Sequence, residues 1–122
     1  MAEKNETGSK GENLARKYLR ENDFTIRHSN WRFGHKELDI IAEKNNTLHI
    51  IEVKTRTSAY WEEPKDAVVR RKQKNMIAAA EAYIIQENIN FETQFDVISI
   101  VLDGDKYALE YIPNAFIPSE IK

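Results

Sequence analysis

The 122-residue sequence has no cysteine. Disulfides, thiolate zinc sites and cysteine nucleophiles are all excluded at once, and the composition suits a reducing compartment. Long apolar runs are missing too. Stretches such as Ile98 to Leu102, interrupted by Ser99, are far too short to cross a bilayer. The opening Met1 to Lys10 is polar, so no signal peptide is read there, and a cytoplasmic protein without membrane association is expected. Repeats, low-complexity tracts and long linkers are also lacking. Nor does one sign of charge dominate: 18 Lys and Arg stand against 20 Asp and Glu, a formal net charge of −2. That balance argues against a general DNA-coating protein, which draws its affinity from neutralising phosphates. The asymmetry is local instead. Residues 65–74 carry Lys65, Arg70, Arg71, Lys72 and Lys74 against Asp66 alone, a local charge of +4. Such a run is either a solvated helix face or a basic face for a polyanion.

The length fits one domain, able to bury about two-thirds of its unfolded surface. Ser9-Lys10-Gly11-Glu12 has the form of a capping box. Leu14, Ala15, Tyr18 and Leu19 follow at helical spacing, which predicts a first helix over 10–21. Residues 1–8 and 117–122 are expected to be flexible. Phe24 to Arg32 reads as extended, and Gly34 marks a turn. Leu38 to Glu43 and Thr47 to Arg56 are the strongest strand signals, and Asn45-Asn46 suits a tight hairpin because Asn tolerates positive φ. Pro64 is set to open a second helix over 65–87, with Val68, Val69, Met76, Ile77, Ala80, Tyr83 and Ile84 as its apolar stripe. Phe95 to Leu102 and Lys106 to Ile112 read as closing strands around an Asp103-Gly104 turn. The expected order is α-β-β-β-α-β-β in an α/β domain.

The hairpin concentrates chemistry. Strand alternation puts Leu48, Ile50, Glu52 and Lys54 on one face. A two-residue turn at Asn45-Asn46 pairs Lys44 with Thr47, Ile41 with Ile50 and Asp39 with Glu52. Directly opposed residues have Cβ atoms about 4.5–5.5 Å apart, so two carboxylates would lie side by side with Lys54 two residues on. Like charges so placed repel, and one is driven toward protonation unless a cation intervenes. A hard cation, Mg²⁺ or Mn²⁺, resolves the conflict. A solvated Asp–Lys–Glu surface cluster is the other reading, and a one-residue slip would send Asp39 to the opposite face.

Asp39 followed thirteen positions later by Glu52-Val53-Lys54 resembles the PD-(D/E)xK nuclease motif without its proline. Its surroundings narrow the likeness. Gly11-Glu12, Ala15, Tyr18-Leu19, Asn30-Trp31-Arg32, Glu37-Leu38-Asp39-Ile40-Ile41, Ile51 through Arg56, Pro64, Ala67-Val68, Lys72-Gln73, Phe95-Asp96-Val97-Ile98 and Ala115-Phe116 together resemble the bacterial YraN family, in consistent order. The resemblance implies a restriction-endonuclease-like fold, with a central mixed sheet flanked by helices, similar to archaeal Holliday-junction resolvases. It further implies a metal-dependent nuclease acting on DNA, with branched or single-stranded DNA among the candidate substrates, and a homodimer. His35-Lys36 and Tyr60 to Glu63 depart from the family pattern in loops beside the expected site.

On this reading Asp39 and Glu52 hold Mg²⁺ or Mn²⁺, the Val53 carbonyl adds a further oxygen, and Lys54 orients water or stabilises the transition state. An ordinary ion pair to Glu52 is the alternative for Lys54. Glu12 matches a first-helix acid that completes the metal site, although the capping box and the helix dipole explain it without function. Lys72 or Gln73 is expected near the scissile phosphate, with a Gln73 bonded to backbone as the alternative. Arg56, Arg70, Arg71, Lys72, Gln73 and Lys74 are the candidate nucleic-acid contacts. Glu37 is expected at the rim, Asp96 as a structural residue bonding a loop, and Trp31 as core; Tyr60-Trp61 are the candidates for stacking on bases. His28, His35 and His49 have no metal spacing and read as structural or surface residues. Two other functions compete with the nuclease: a catalytically weak nucleic-acid-binding module, and an interaction protein docking through its 117–122 tail and acidic loop.

Overall fold

The computed structural model describes residues 6–58 and 69–118. Its elements are α1 (Glu6–Glu21), β1 (Thr25–Phe33), β2 (Lys36–Lys44), β3 (Thr47–Thr57), α2 (Arg70–Gln86), β4 (Glu92–Asp103) and β5 (Lys106–Phe116). The expected α-β-β-β-α-β-β order is what the chain adopts. The strands form one mixed sheet in the order β1-β2-β3-β4-β5. Neighbours are antiparallel except β3 and β4, which are parallel and joined across α2.

The two helices cover opposite faces, because β3 and β4 are apolar on both sides. Beneath α2, Met76, Ala79, Ala80 and Tyr83 pack on Leu38, Ile41, Leu48, Ile50, Phe95 and Val97. Beneath α1, Ala15 and Leu19 pack with Phe24 on Ile40, Ala42, Ile51, Val53, Ile98 and Ile100. The Asn45-Asn46 hairpin forms as its composition requires, with φ of 52° and 58°. Its register is the expected one: Lys44 opposes Thr47, Ile41 opposes Ile50 and Ile40 opposes Ile51.

Two helix starts differ from expectation. The helix α1 already includes Glu6, so Ser9 and Glu12 lie inside it and form no capping box; residues 6–8 are helical rather than frayed. Helix propagation through the polar stretch 6–9 outweighs the capping signal. The helix α2 begins at Arg70, not 65: Val69 is its extended N-cap, 64% exposed instead of in the core. The opening of the predicted helix at Pro64, Val68, and the stacking candidates Tyr60-Trp61 lie outside the described residues. At the other end, β4 and β5 both run longer than their apolar cores suggest.

Asp96 anchors the sheet's far half. It is fully buried and accepts four hydrogen bonds, from His49 Nδ1 (2.7 Å), the Tyr111 hydroxyl (2.7 Å), Gln94 Nε2 (2.9 Å) and the Asn114 backbone N–H (3.0 Å). Four donors saturate a carboxylate, which is why a buried charge is tolerated there. Burial and the bond to Asp96 push the Tyr111 phenol up, so it stays a donor. His49 is thus a structural residue of the interior, consistent with a lack of metal spacing.

Candidate metal centre

The site begins where the β2–β3 ladder stops. The paired register runs from Lys44–Thr47 to Ile40–Ile51. The next position brings Asp39 opposite Glu52, and there a side chain takes over from the backbone: Asp39 Oδ2 accepts the Val53 N–H at 2.9 Å. Both carboxylates are buried, Asp39 at 6% and Glu52 at 6% exposure. When protonated, Glu52 donates a hydrogen bond to Asp39. Burial first, and then repulsion by Asp39, push the Glu52 carboxyl up to about 8; the nearby ammonium groups of Lys72 and Lys54 pull the other way. The adjacency expected from the hairpin register is therefore present.

Lys54 and Arg56 follow Glu52 on the same strand face, at intervals of about 7 Å along the chain. Both are half-buried. Across from them, the first turn of α2 brings Lys72 Nζ to 3.6 Å from Glu52 Oε2. Lys72 thus faces the acidic pair, as its helical position predicts, while Arg70, Arg71 and Lys74 are exposed and Gln73 is half-buried. That turn contains no acid, and Val69 supplies no side-chain cap. With three successive cations and no acid, the N-terminus of α2 is electropositive.

Glu12 arrives by a different route. Gly11 packs so tightly on β3 that a Cβ there would lie 1.7 Å from Thr55 Oγ1. Only glycine lets α1 come this close, and the contact seats Glu12 at the Lys54–Arg56 end of β3. Glu12 is 4% exposed, and Arg16 lies 3.8 Å from it. Among the described residues no three His, Cys, Asp or Glu side chains gather as a metal cage. Glu37, expected at the rim, pairs with Arg32 at 3.3 Å.

The pair fits a hard divalent cation. Glu52 Oε1 is buried without a hydrogen-bond partner among the described residues. An orphaned, desolvated carboxylate oxygen beside a second carboxylate is an oxygen-donor set of the kind Mg²⁺ and Mn²⁺ accept, with water and phosphate completing the shell.

Sequence reasoning missed one feature. Residues two apart on a strand normally share a face. Ile40 lies under α1, yet Leu38 lies under α2. Its partner strand does the same: Ser29, paired with Ile40, receives a hydrogen bond from Arg16 of α1, while Trp31, paired with Leu38, packs against Tyr83 of α2. The faces exchange at Asn30 and Asp39, and Asn30 has φ +53°. An Asn preceding Trp31 in an otherwise extended stretch was the available signal.

The fold and this site define a small mixed α/β domain with a buried carboxylate pair at a splayed hairpin, bordered by lysines from strand and helix. A family profile described as "Uncharacterised protein family UPF0102" matches residues 11–100. A UPF0102 protein of Bacteroides thetaiotaomicron is 44% identical over 118 residues, covering 97% of this chain and 98% of the relative. UPF0102 proteins of Porphyromonas gingivalis (40% over 118 residues; 95% and 87% covered) and Flavobacterium psychrophilum (36% over 116 residues; 95% and 98%) are similar along nearly the whole chain. The chain belongs to the UPF0102 family, which is the YraN family of the sequence resemblance. No helix among the described residues is long and apolar enough to cross a membrane.

Proposed function

We propose that the protein is a divalent-metal-dependent nuclease that hydrolyses phosphodiester bonds of DNA, on a restriction-endonuclease-like fold similar to Holliday-junction resolvases. The observation that carries this reading is the buried Asp39–Glu52 pair with its orphaned Glu52 Oε1, flanked by Lys54 and Lys72. Asp39 and Glu52 would hold Mg²⁺ or Mn²⁺, with the Val53 carbonyl and Glu12 as candidate further oxygen donors. The bound ion would supply Lewis-acid stabilisation of phosphate charge. Lys54, on the strand face of Glu52, is placed to hold the attacking water or to neutralise charge on the phosphoryl oxygens. Lys72 exchanges its contact with Glu52 for the scissile phosphate. Arg56 extends the basic track along β3, while Arg70, Arg71, Gln73 and Lys74 offer outer contacts to the DNA backbone.

A second reading has one observation in its favour. Burial and Asp39 hold the Glu52 carboxyl protonated up to about 8, and Lys72 lies 3.6 Å from it, so the pair avoids full charge repulsion without metal. That suits a catalytically weak nucleic-acid-binding module. A cytoplasmic homodimer is proposed on either reading, and sedimentation tests the assembly.

Cleavage of duplex, flap, junction and single-stranded DNAs with Mg²⁺ or Mn²⁺ separates the two. Metal-dependent cutting is expected, with branched or single-stranded DNA preferred, and Lys54→Ala is expected to stop cutting while sparing binding. Mg²⁺ or Mn²⁺ should also raise the melting temperature, and Asp39→Asn should abolish that rise. Cleavage undiminished by Lys54→Ala removes the catalytic assignment. DNA binding without any cleavage leaves the binding module.

A further inference from the structure

We propose that Asn30, a residue of the neighbouring strand, is the positioning residue that turns Asp39 onto the Val53 N–H beside Glu52, by holding a left-handed backbone where β1 pairs with β2. The metallic role of the pair rests on the function proposed above; the geometric role of Asn30 does not.

Asn30 lies within β1, where φ is ordinarily near −120° to −140°; its φ is +53°. A left-handed residue inside a strand rotates everything after it relative to everything before it. The rotation is visible on both sides of Asn30: Ser29 meets α1 and Trp31 meets α2. The β1–β2 register is unbroken across this point, with His28, Ser29, Trp31, Arg32 and Phe33 all paired in step with β2. Two strands bonded in step on either side of a rotation must rotate together. So β2 turns at the residue facing Asn30, which is Asp39, and Ile40 and Leu38 end on opposite faces of the sheet.

That turn decides where the carboxylate goes. Under strict alternation Asp39 would stand on the face of Ile41, beside Glu52 but projecting toward α2 and away from the backbone of β3. Turned halfway between the faces, it lies along the sheet toward β3. There Oδ2 takes the Val53 N–H at 2.9 Å, and the carboxylate meets Glu52. The same turn ends the backbone ladder at Ile40–Ile51. Asn is the residue after glycine that best tolerates this conformation, because its short amide makes local hydrogen bonds that offset the Cβ penalty. A β-branched residue prefers extended φ and should pull β1 back to regular alternation.

The test compares Asn30→Gly, Asn30→Val and wild type, with Asp39→Ala marking the complete loss of the Asp39–Val53 bond. The readout is hydrogen exchange of the Val53 amide, referenced to Ile98 and Ile100 in the sheet centre to correct for global stability. Asn30→Gly should keep wild-type protection at Val53. Asn30→Val should lose at least tenfold, approaching Asp39→Ala, with the central amides unaffected after correction. If Asn30→Val does not fold, Asn30→Ala replaces it and should lose protection in the same direction. Val53 protection equal to wild type in the folded Val or Ala variant overturns the proposal. Loss in Asn30→Gly as large as in Asn30→Val overturns it too, since the side chain rather than the backbone would then matter. Thermal shift with Mn²⁺ is read in parallel, and should follow Val53 protection through the series. If Val53 behaves as stated but wild type shows no Mn²⁺ shift, the positioning role stands and the metal reading falls.

Discussion

Glu52 concentrates the opposing forces of the site in one side chain. Its carboxyl is pushed up to about 8 by burial and by Asp39, against an ordinary value of 4.5 in the unfolded chain. Between those two values the folded protein holds a proton that the unfolded chain has released, so stability falls as pH rises. The contribution is fully present below about 4.5 and is lost as pH climbs through about 8. Denaturant titrations of the metal-free protein from pH 5 to 8.5 should therefore show a progressive decline that Glu52→Gln flattens. An equal decline in Glu52→Gln would assign it to other groups. Metal binding must displace the same proton, so Mg²⁺ or Mn²⁺ affinity should rise over this interval, and calorimetry at pH 7 in buffers of different ionisation enthalpy should detect proton release.

Helix placement is a matter of close contacts at the scale of elements. The contact between α1 and β3 is set by Gly11 against Thr55, where a Cβ would lie 1.7 Å from Oγ1 and 2.7 Å from two further side-chain atoms. Gly11→Ala must lift α1 away from the strand, and overpacking of this kind costs about 1–3 kcal/mol. A lowered denaturation midpoint at unchanged m-value is the expected result. Thr55→Ala in the same chain should recover part of the loss by removing Oγ1 and Cγ2. Full stability in Gly11→Ala alone would mean that α1 does not sit as closely as described. On the other face, Tyr83 ties α2 to β1: its hydroxyl accepts from Arg27 Nε at 2.9 Å and meets His28 Nδ1 at 2.8 Å, and Trp31 packs edge-on against its ring. The strand that carries Asn30 is thereby held against the helix that carries Lys72.

At the scale of the whole molecule, a net charge of −2 coexists with a basic run, Arg70, Arg71, Lys72 and Lys74, at the start of α2. If the electropositive start of α2 meets DNA, each phosphate contact should contribute about 0.9 to the slope of log K against log salt on duplex, and about 0.7 on single strands. Arg71→Ala should weaken binding and flatten the slope by about that amount, while a substitution on the far end of α2, such as Glu81→Gln, should not flatten it. An unchanged slope in Arg71→Ala would move the DNA path elsewhere. Much of this molecule is determined by sequence alone, because its signals are local. Period-two alternation with an Asn-Asn turn specifies the hairpin, its register and the adjacency of Asp39 to Glu52. Helical spacing on α2 separates Lys72 from the outward Arg70, Arg71 and Lys74. Other features had no local signature. Ser9 and Glu12 satisfy a capping pattern, yet the helix runs through them, since a cap motif competes with the packing of the whole helix. Val69 fits the apolar stripe, yet the helix begins after it. The exchange of faces at Asn30 and Asp39 depends on two strands pairing in step across a left-handed residue. Alternation assigns faces one strand at a time, so only the tertiary structure, in which bonded strands must rotate together, decided that Asp39 turns along the sheet onto the Val53 N–H.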